Sequence, residues 1–266
     1  AEAPTGNVVT NIFDTLVFRD EDMELKPHLA SDWRLVDDRT WEFTLRDDVT
    51  FHNGEPLTAA DVKFTIERVI DPEQLSPQVS DLQAVEKVET VDDHTVRIMT
   101  TKPFPTLLAE LAGKQIVPME YVQAEGAEHF SEHPVGTGPF TFDSWAKDDV
   151  IVLRANEDYW KGSPAVEKVE FRVIPENQSR IAALQTGQVD IIVNVPPDQA
   201  EVLKEAEGTN VATVPSSRVI YIGINTLQEG PLADPRVRRA LNYAVDKQGI
   251  IDNILQGNGV RLASPI

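Results

Sequence analysis

The stretch that decides the fold is LASDWRLVDDRTWEFTLRDDVTFHNGEPLTAADV, residues 29–62. Its first part predicts two short strands joined by a turn at residues 37–39, because apolar and polar side chains alternate in WEFTL, residues 41–45. A Gly-Glu-Pro turn follows, and after it a helix. Thr58, with Asp61 three residues later, is typical of a capping box in which Asp replaces the usual Glu. The stretch therefore predicts a β-hairpin that leads into a capped helix.

Length and composition indicate a globular protein and exclude several classes. The chain has 266 residues, 41% of them hydrophobic, and no apolar run approaches the roughly 18–20 residues that span a bilayer. The absence of cysteine excludes a disulfide scaffold, a thiol nucleophile and a cysteine-bearing zinc site. The net charge of -20 argues against nucleic acid or anionic lipid as the main partner. The opening AEAPTG is unlike a signal peptide, so we expect a cytosolic protein or one that was processed.

Elsewhere, helices and strands follow one another without a regular βαβ order or an internal repeat, which predicts a mixed α/β protein. Gly187 ends one helix and leads to an apolar strand at residues 189–193, and another strand is predicted at residues 219–225. The other predicted strands include 95–100, 140–142, 150–153 and 169–173, and the predicted helices include 59–69, 118–127, 178–185 and 235–245.

Residues 129–133 read His-Phe-Ser-Glu-His, the H-x-x-E-H pattern of the inverted zinc peptidases. Such a site needs both histidines on one helical face, a third metal ligand and Glu132 as the base. Pro134 follows His133 directly and is expected to stop the helix there. A polar loop that contains two histidines is the simpler interpretation, and a zinc hydrolase built on His129, Glu132 and His133 remains the alternative from another class.

No other pattern indicates catalysis. The Gly136-x-Gly138 pair lacks the third glycine of a dinucleotide-binding loop, and a strand follows it where a helix is required. Trp41 and Trp160 are more typical of core positions than of ligand-stacking platforms. We therefore predict that the protein is not an enzyme and has no catalytic residue, no metal ligand and no cofactor.

Several segments resemble, in the same order, the signature segments of the family 5 extracellular solute-binding proteins. Residues 29–62 resemble the longest of these almost position for position. The segment FDTLV, residues 13–17, is similar to an early family segment in which Tyr is more common than Phe. The remaining similar segments are PVGTGPF at 134–140, NEDYW at 156–160, GQVD at 187–190 and DPRVRRALNYAVDK at 234–247.

The fold that this resemblance implies is a mixed α/β, periplasmic-binding-protein-like type II clamp with two lobes. Family members are about twice as long as this chain, so the resemblance implies an incomplete second lobe. By the same resemblance, residues 1–22 and 135–220 form lobe I, residues 23–134 form its inserted subdomain, and residues 221–266 begin lobe II.

The resemblance implies an extracytoplasmic solute-binding subunit of an ABC importer, periplasmic or attached to the cell surface. Such a subunit captures a small ligand, here a peptide, between two lobes and delivers it to the membrane permease. Nickel chelates, oligosaccharides and opines are the alternative ligands within the family. Lys114 and Gln115 also lie at the exit from a helix, where binding residues are common. By resemblance, the ligand-binding candidates are Asn7, Ser76, Gln78, Lys114, Gln115, Thr137, Asn194 and Arg218, with Lys114 or Arg218 expected to attract a ligand carboxylate.

Overall fold

The computed structural model describes residues 3–214, 218–227 and 229–264. The chain divides into two compact units, Ala1–Val173 and Ile174–Ile266. The first unit contains α1 (Ala3–Ile12), β1 (Val17–Arg19), β2 (Leu25–Pro27), β3 (Ala30–Asp37), β4 (Thr40–Leu45), α2 (Ala59–Ile70), β5 (Val85–Asp92), β6 (Thr95–Thr100), α3 (Leu107–Leu111), α4 (Met119–Glu132), β7 (Phe140–Ala146), β8 (Val150–Ala155) and β9 (Lys168–Arg172). The second contains α5 (Asn177–Gln185), α6 (Pro197–Glu205), α7 (Pro235–Ala244) and α8 (Lys247–Asn253). The assignment of residues to two lobes stays a prediction.

The centre of the first unit is a four-stranded antiparallel sheet in the order β3-β4-β6-β5. The predicted hairpin is confirmed as β3 and β4, and Phe43 and Leu45 are buried while Thr44 is exposed. Helix α2 packs against this sheet and buries Val62 and Ile66 completely. Each such side chain contributes about 1.5–3 kcal/mol through the apolar surface that it removes from water.

Charged residues cross this sheet in register. Glu42 on β4 lies between Arg34 on β3 and Arg97 on β6, and accepts hydrogen bonds from their Nε atoms at 2.8 Å and 2.7 Å. These bonds hold the pKa of the Glu42 carboxyl below its ordinary value. Cross-strand pairs of opposite charge favour one register over its neighbours.

Helix α2 begins as its sequence predicts. Oδ2 of Asp61 accepts hydrogen bonds from the Thr58 N–H at 2.9 Å and from the Thr58 hydroxyl at 2.8 Å. Oδ1 of the same carboxylate accepts the Met119 N–H at 2.8 Å. One buried carboxylate therefore caps α2 and joins the first turn of α2 to the first turn of α4.

A second sheet in the first unit, β7-β8-β9, is an antiparallel meander. Phe140 and Leu153 from this sheet are buried in a second apolar cluster with Ile12 and Phe13, which come from the end of α1 and the residue after it. This cluster is what brings the start of the chain against the turn that precedes β7.

The second unit has helices joined by long irregular segments, and neither of its predicted strands is formed among its described residues. Residues 189–193 and 219–225 pair with no other described segment. A strand requires a hydrogen-bonded neighbour, and without one Ile191, Ile220 and Ile222 are 82%, 82% and 81% exposed. These two strand predictions are wrong in this structure.

The helix predicted at residues 235–245 is confirmed as α7. The Asp234 carboxylate accepts the Arg236 N–H at 2.8 Å and so caps its first turn. No helix in the described part of the chain is long and apolar enough to cross a membrane.

Candidate functional site

A pocket of about 290 Å³ lies in the first unit, between the second half of α2, the loop that follows α2 and the segment after α3. The loop contains two short 3-10 turns, Pro72–Gln74 and Val79–Leu82. The polar side chains that line the pocket are Thr65, Arg68, Gln74, Ser76, Gln78, Lys114 and Gln115.

Four of the eight predicted ligand-binding residues meet at this pocket. Ser76 and Gln78 reach it because the chain turns at Leu75, which has left-handed backbone with φ +48° and an 85% exposed side chain. The Ser76 hydroxyl then accepts the Gln78 N–H at 3.3 Å. Lys114 and Gln115 line the pocket from the segment after α3. The structure therefore brings together two polar segments that are distant in the sequence.

The positive charge of Lys114 is already paired with a carboxylate of the protein. Its side chain is buried, and its Nζ atom lies 2.8 Å from Oδ2 of Asp81. The hydrogen bond from Lys114 holds the pKa of the Asp81 carboxyl below its ordinary value. A ligand carboxylate at Lys114 would therefore compete with Asp81.

Arg68 is the pocket residue that the sequence analysis missed. Its guanidinium carbon lies 6.0 Å from the centre of the Phe130 ring, and no carboxylate in the described part of the chain pairs with it. It also lines an adjoining pocket of about 440 Å³. Helical spacing could have identified Arg68 in the sequence, because it follows Thr65 by three residues and therefore lies on the same face of α2.

The other four predicted residues do not line this pocket. Asn7 is exposed on α1, where its backbone carbonyl accepts a hydrogen bond from Asn11 at 2.7 Å. Asn194 and Arg218 are exposed residues of the second unit, and Asn194 has left-handed backbone with φ +58°. Thr137 has a fully buried side chain.

Thr137 belongs to a buried polar cluster around Asp14, whose side chain is 4% exposed. Oδ2 of Asp14 accepts hydrogen bonds from the Thr137 hydroxyl at 3.0 Å and from the Trp160 indole at 2.9 Å. Oδ1 accepts the Tyr159 hydroxyl at 3.2 Å and lies 3.3 Å from Nε2 of His28. Burial and the Asp14 charge raise the pKa of Tyr159, which keeps its hydroxyl protonated as a donor. The Asp14 carboxylate thus links the segment after α1 to the turn before β7 and to the turn after β8.

His52 fixes the Gly-Thr-Gly turn that carries Thr137. Its Nδ1 atom accepts the Gly136 N–H at 3.3 Å, so Nε2 carries the proton and donates to the Gly138 carbonyl at 2.9 Å. The Gly138 N–H donates in turn to the Ile12 carbonyl at 2.8 Å. The neutral imidazole satisfies this arrangement, and protonation of Nδ1 would break it.

His28 and His52 are expected to make the protein less stable in mild acid. Burial lowers the pKa of both imidazoles below the ordinary value of 6.5, with Asp14 opposing the shift in each case. Below about pH 6.5 the unfolded chain therefore binds more protons than the folded chain, so the free energy of unfolding falls as the pH drops toward the folded pKa values. The slope is at most about 1.4 kcal/mol per pH unit for each histidine.

Denaturant unfolding at pH 7.5, 6.5 and 5.5 measures this slope. The matched control is His94→Gln, which changes an exposed histidine and should leave the slope unchanged. His52→Gln should lower the stability at pH 7.5 and flatten the profile. Equal free energies of unfolding at pH 7.5 and 5.5 in the unmodified protein would contradict the prediction.

The H-x-x-E-H segment is partly helical. Helix α4 ends at Glu132, as Pro134 predicts, and His133 follows as its C-cap. Among residues 3–214, 218–227 and 229–264 there is no group of three or more His, Asp or Glu side chains placed to hold a metal ion. A zinc hydrolase therefore lacks a third ligand in the described part of the chain.

Comparison with known proteins places this geometry in a family. The probable D,D-dipeptide-binding periplasmic protein DdpA of Escherichia coli (strain K12) is 34% identical over 254 residues, covering 91% of this chain and 48% of DdpA. NikZ from Campylobacter jejuni, solved in complex with Ni(L-His), matches with a TM-score of 0.85 and 28% identity over 97% of this chain and 52% of its own. The dipeptide binding protein from Pseudoalteromonas sp. SM9913, solved with Met-Leu, matches with a TM-score of 0.83 and 28% identity over 96% and 55%.

The chain spans about half the length of the relatives that it matches. The mixed α/β fold predicted from the sequence is confirmed by these structural matches. The sequence model described as bacterial extracellular solute-binding proteins, family 5 Middle, matches residues 24–266. The chain therefore belongs to the family 5 bacterial extracellular solute-binding proteins.

Proposed function

We propose that the chain is the ligand-capturing part of an extracytoplasmic solute-binding subunit of an ABC importer, and that its ligand is a peptide. The subunit binds the peptide without chemistry and presents it to a membrane permease. The ligand favours the closed form of a two-lobed clamp only to the extent that it binds that form more tightly than the open one. Membership of family 5 supports this proposal, as do relatives that are named for dipeptides.

The choice of a peptide as the ligand rests on Arg68, a pocket cation that no carboxylate in the described residues pairs with. A peptide brings a terminal carboxylate, for which an arginine offers two parallel hydrogen bonds. Arg68 is available for that role because no carboxylate in the described residues pairs with it, whereas Lys114 is held by Asp81. Gln78 and Gln115 add amide donors and acceptors suited to a peptide backbone. We infer that Arg68, Gln78 and Gln115 contact the ligand.

Arg68→Gln is expected to weaken peptide binding by at least about tenfold, which corresponds to the loss of one charge-assisted contact. The test begins with native mass spectrometry of the 266-residue chain and of the protein translated from the complete reading frame, to identify a retained peptide. Calorimetry with that peptide then compares the unmodified protein with the variant. Lys63→Gln is the matched control, because Lys63 is a half-exposed cation on the same helix and its Nζ atom lies 3.8 Å from Oε1 of Glu67.

Equal losses in Arg68→Gln and Lys63→Gln would show a general charge effect and contradict the role of Arg68. A retained nickel chelate, oligosaccharide or opine would instead favour the other ligands of the family. Hydrolysis of peptides that disappears in the double variant His129→Ala, His133→Ala would overturn the non-enzymatic proposal.

A further inference from the structure

We propose that His129 and His133 form a two-histidine site for a divalent late transition-metal ion, such as Cu²⁺, Ni²⁺ or Zn²⁺. The site lies at the end of α4, and the proposal does not depend on which solute the protein carries. Metal-binding helices use two histidines four residues apart, and the same spacing occurs here with His129 in the last turn of α4 and His133 as its C-cap.

The two imidazoles are already side by side. The His133 N–H donates to the His129 carbonyl at 2.8 Å, so the second residue completes the turn that starts at the first. The ring centres are 4.4 Å apart and the planes differ by 15°. Both residues are exposed, so an ion reaches the rings directly from solvent.

One aromatic ring contacts each histidine ring edge-on. Tyr121 meets the His129 ring edge-on at 6.2 Å, and its hydroxyl donates to the His133 carbonyl at 3.1 Å. Phe142 meets the His133 ring edge-on, also at 6.2 Å. These contacts keep the two side chains next to each other at the end of α4.

The stack must open before the two rings can chelate one ion, because the lone pair of each coordinating nitrogen lies in the plane of its own ring. Two nitrogen ligands at about 2.0–2.1 Å from one ion lie roughly 2.8–3.4 Å apart in square-planar or tetrahedral geometry. With the planes only 15° apart the two lone pairs do not converge on one point, so the exposed side chains must rotate about their side-chain bonds until one nitrogen of each ring faces the same ion. The described part of the chain supplies no third protein ligand, so water completes the coordination and the ion exchanges readily.

The other histidines are unsuited to this role. His28 and His52 are engaged through both ring nitrogens, with Asp14 and Thr15 in one case and with Gly136 and Gly138 in the other. His94 is exposed on the turn between β5 and β6 and has no histidine neighbour in sequence. It is therefore the control for binding by a single exposed imidazole.

The experiment is calorimetric titration of the untagged 266-residue chain with NiCl2 in a non-chelating buffer, together with electron paramagnetic resonance of the Cu²⁺ form. We expect one ion per chain, a spectrum with two coordinating nitrogens, and tighter binding of Cu²⁺ than of Ni²⁺ or Zn²⁺. His129→Gln and His133→Gln should each weaken binding at least about tenfold, because each leaves a single ligand. His94→Gln should bind as the unmodified protein does.

The melting temperature provides a second readout that separates binding from misfolding. Each variant should melt at the unmodified temperature without metal, and excess Ni²⁺ should raise the melting temperature of the unmodified protein but not of His129→Gln or His133→Gln. Unchanged affinity in both variants would overturn the proposal. An equal loss in His94→Gln would also overturn it, since binding would then not require the pair.

Discussion

Gly136→Ala is expected to lower the free energy of unfolding by at least about 3 kcal/mol. A Cβ atom at this position would lie 2.1 Å from the Ile12 carbonyl oxygen and 2.7 Å from Cδ1 of Phe13. The Phe13 ring can move, but the Ile12 carbonyl is backbone and accepts the Gly138 N–H. The clash is relieved only if the turn and the end of α1 separate, which would also disrupt the hydrogen bonds that Gly136 and Gly138 make with His52.

Thermal and denaturant unfolding measure this effect. For a chain of this size, about 3 kcal/mol corresponds to a fall in melting temperature of roughly 6–12 °C. The control is Gly6→Ala on α1, where nothing lies within 4 Å of the added Cβ, and where alanine is expected to stabilise by about 0.5–1 kcal/mol. A melting temperature for Gly136→Ala equal to that of the unmodified protein would show that α1 moves aside at little cost, against the packing described.

Local patterns predicted the parts of the fold that short segments determine. The period of residues 41–45 identified a strand, and Thr58 with Asp61 identified the start of α2, because these signals depend on nearest neighbours in the sequence. Residues 189–193 carry an equally clear apolar pattern, yet a strand needs a partner whose presence the pattern does not report. Apolar composition alone did not specify that pairing.

The candidate site was predictable to the extent that its residues come from recognisable segments. Ser76, Gln78, Lys114 and Gln115 were named from resemblance and lie around one pocket, although their individual roles stay predictions. What the sequence did not show is which charges neutralise one another. The Lys114–Asp81 pair is a tertiary contact across 33 positions, and it leaves Arg68 as the pocket cation that no carboxylate pairs with in the described part of the chain.

Thr137 illustrates the same limit. Thr137 was a ligand-binding candidate by resemblance to the family, but its side chain is fully buried and its hydroxyl donates to Asp14. The contact joins residues 123 positions apart, so no local pattern reveals it. The contribution of this hydrogen bond to the free energy of unfolding can be measured with substitutions at Asp14 and Thr137.

Asp14→Ala is expected to destabilise the protein by about 3–5 kcal/mol, the cost of removing a buried charged acceptor from donors that remain. The hydroxyls of Thr137 and Tyr159 and the Trp160 indole would all lose their acceptor, and His28 would lose its charged neighbour. Urea unfolding measures the loss. Asp22→Ala, at an exposed position in the turn between β1 and β2, is the control and should change stability by less than about 0.5 kcal/mol.

A double-mutant cycle with Thr137→Val then separates a structural role of Thr137 from a ligand contact. Thr137→Val alone removes one hydrogen bond to a charged acceptor and should cost about 1.5–3 kcal/mol. In the Asp14→Ala background that bond no longer exists, so the same substitution should cost close to nothing, giving a coupling energy of about 1.5–3 kcal/mol. Because the hydroxyl is buried, ligand affinity measured below the melting temperature of each variant should not change in Thr137→Val. If the effects of the two substitutions on the free energy of unfolding are additive and Thr137→Val weakens ligand binding, then Thr137 contacts the ligand and its structural role is contradicted.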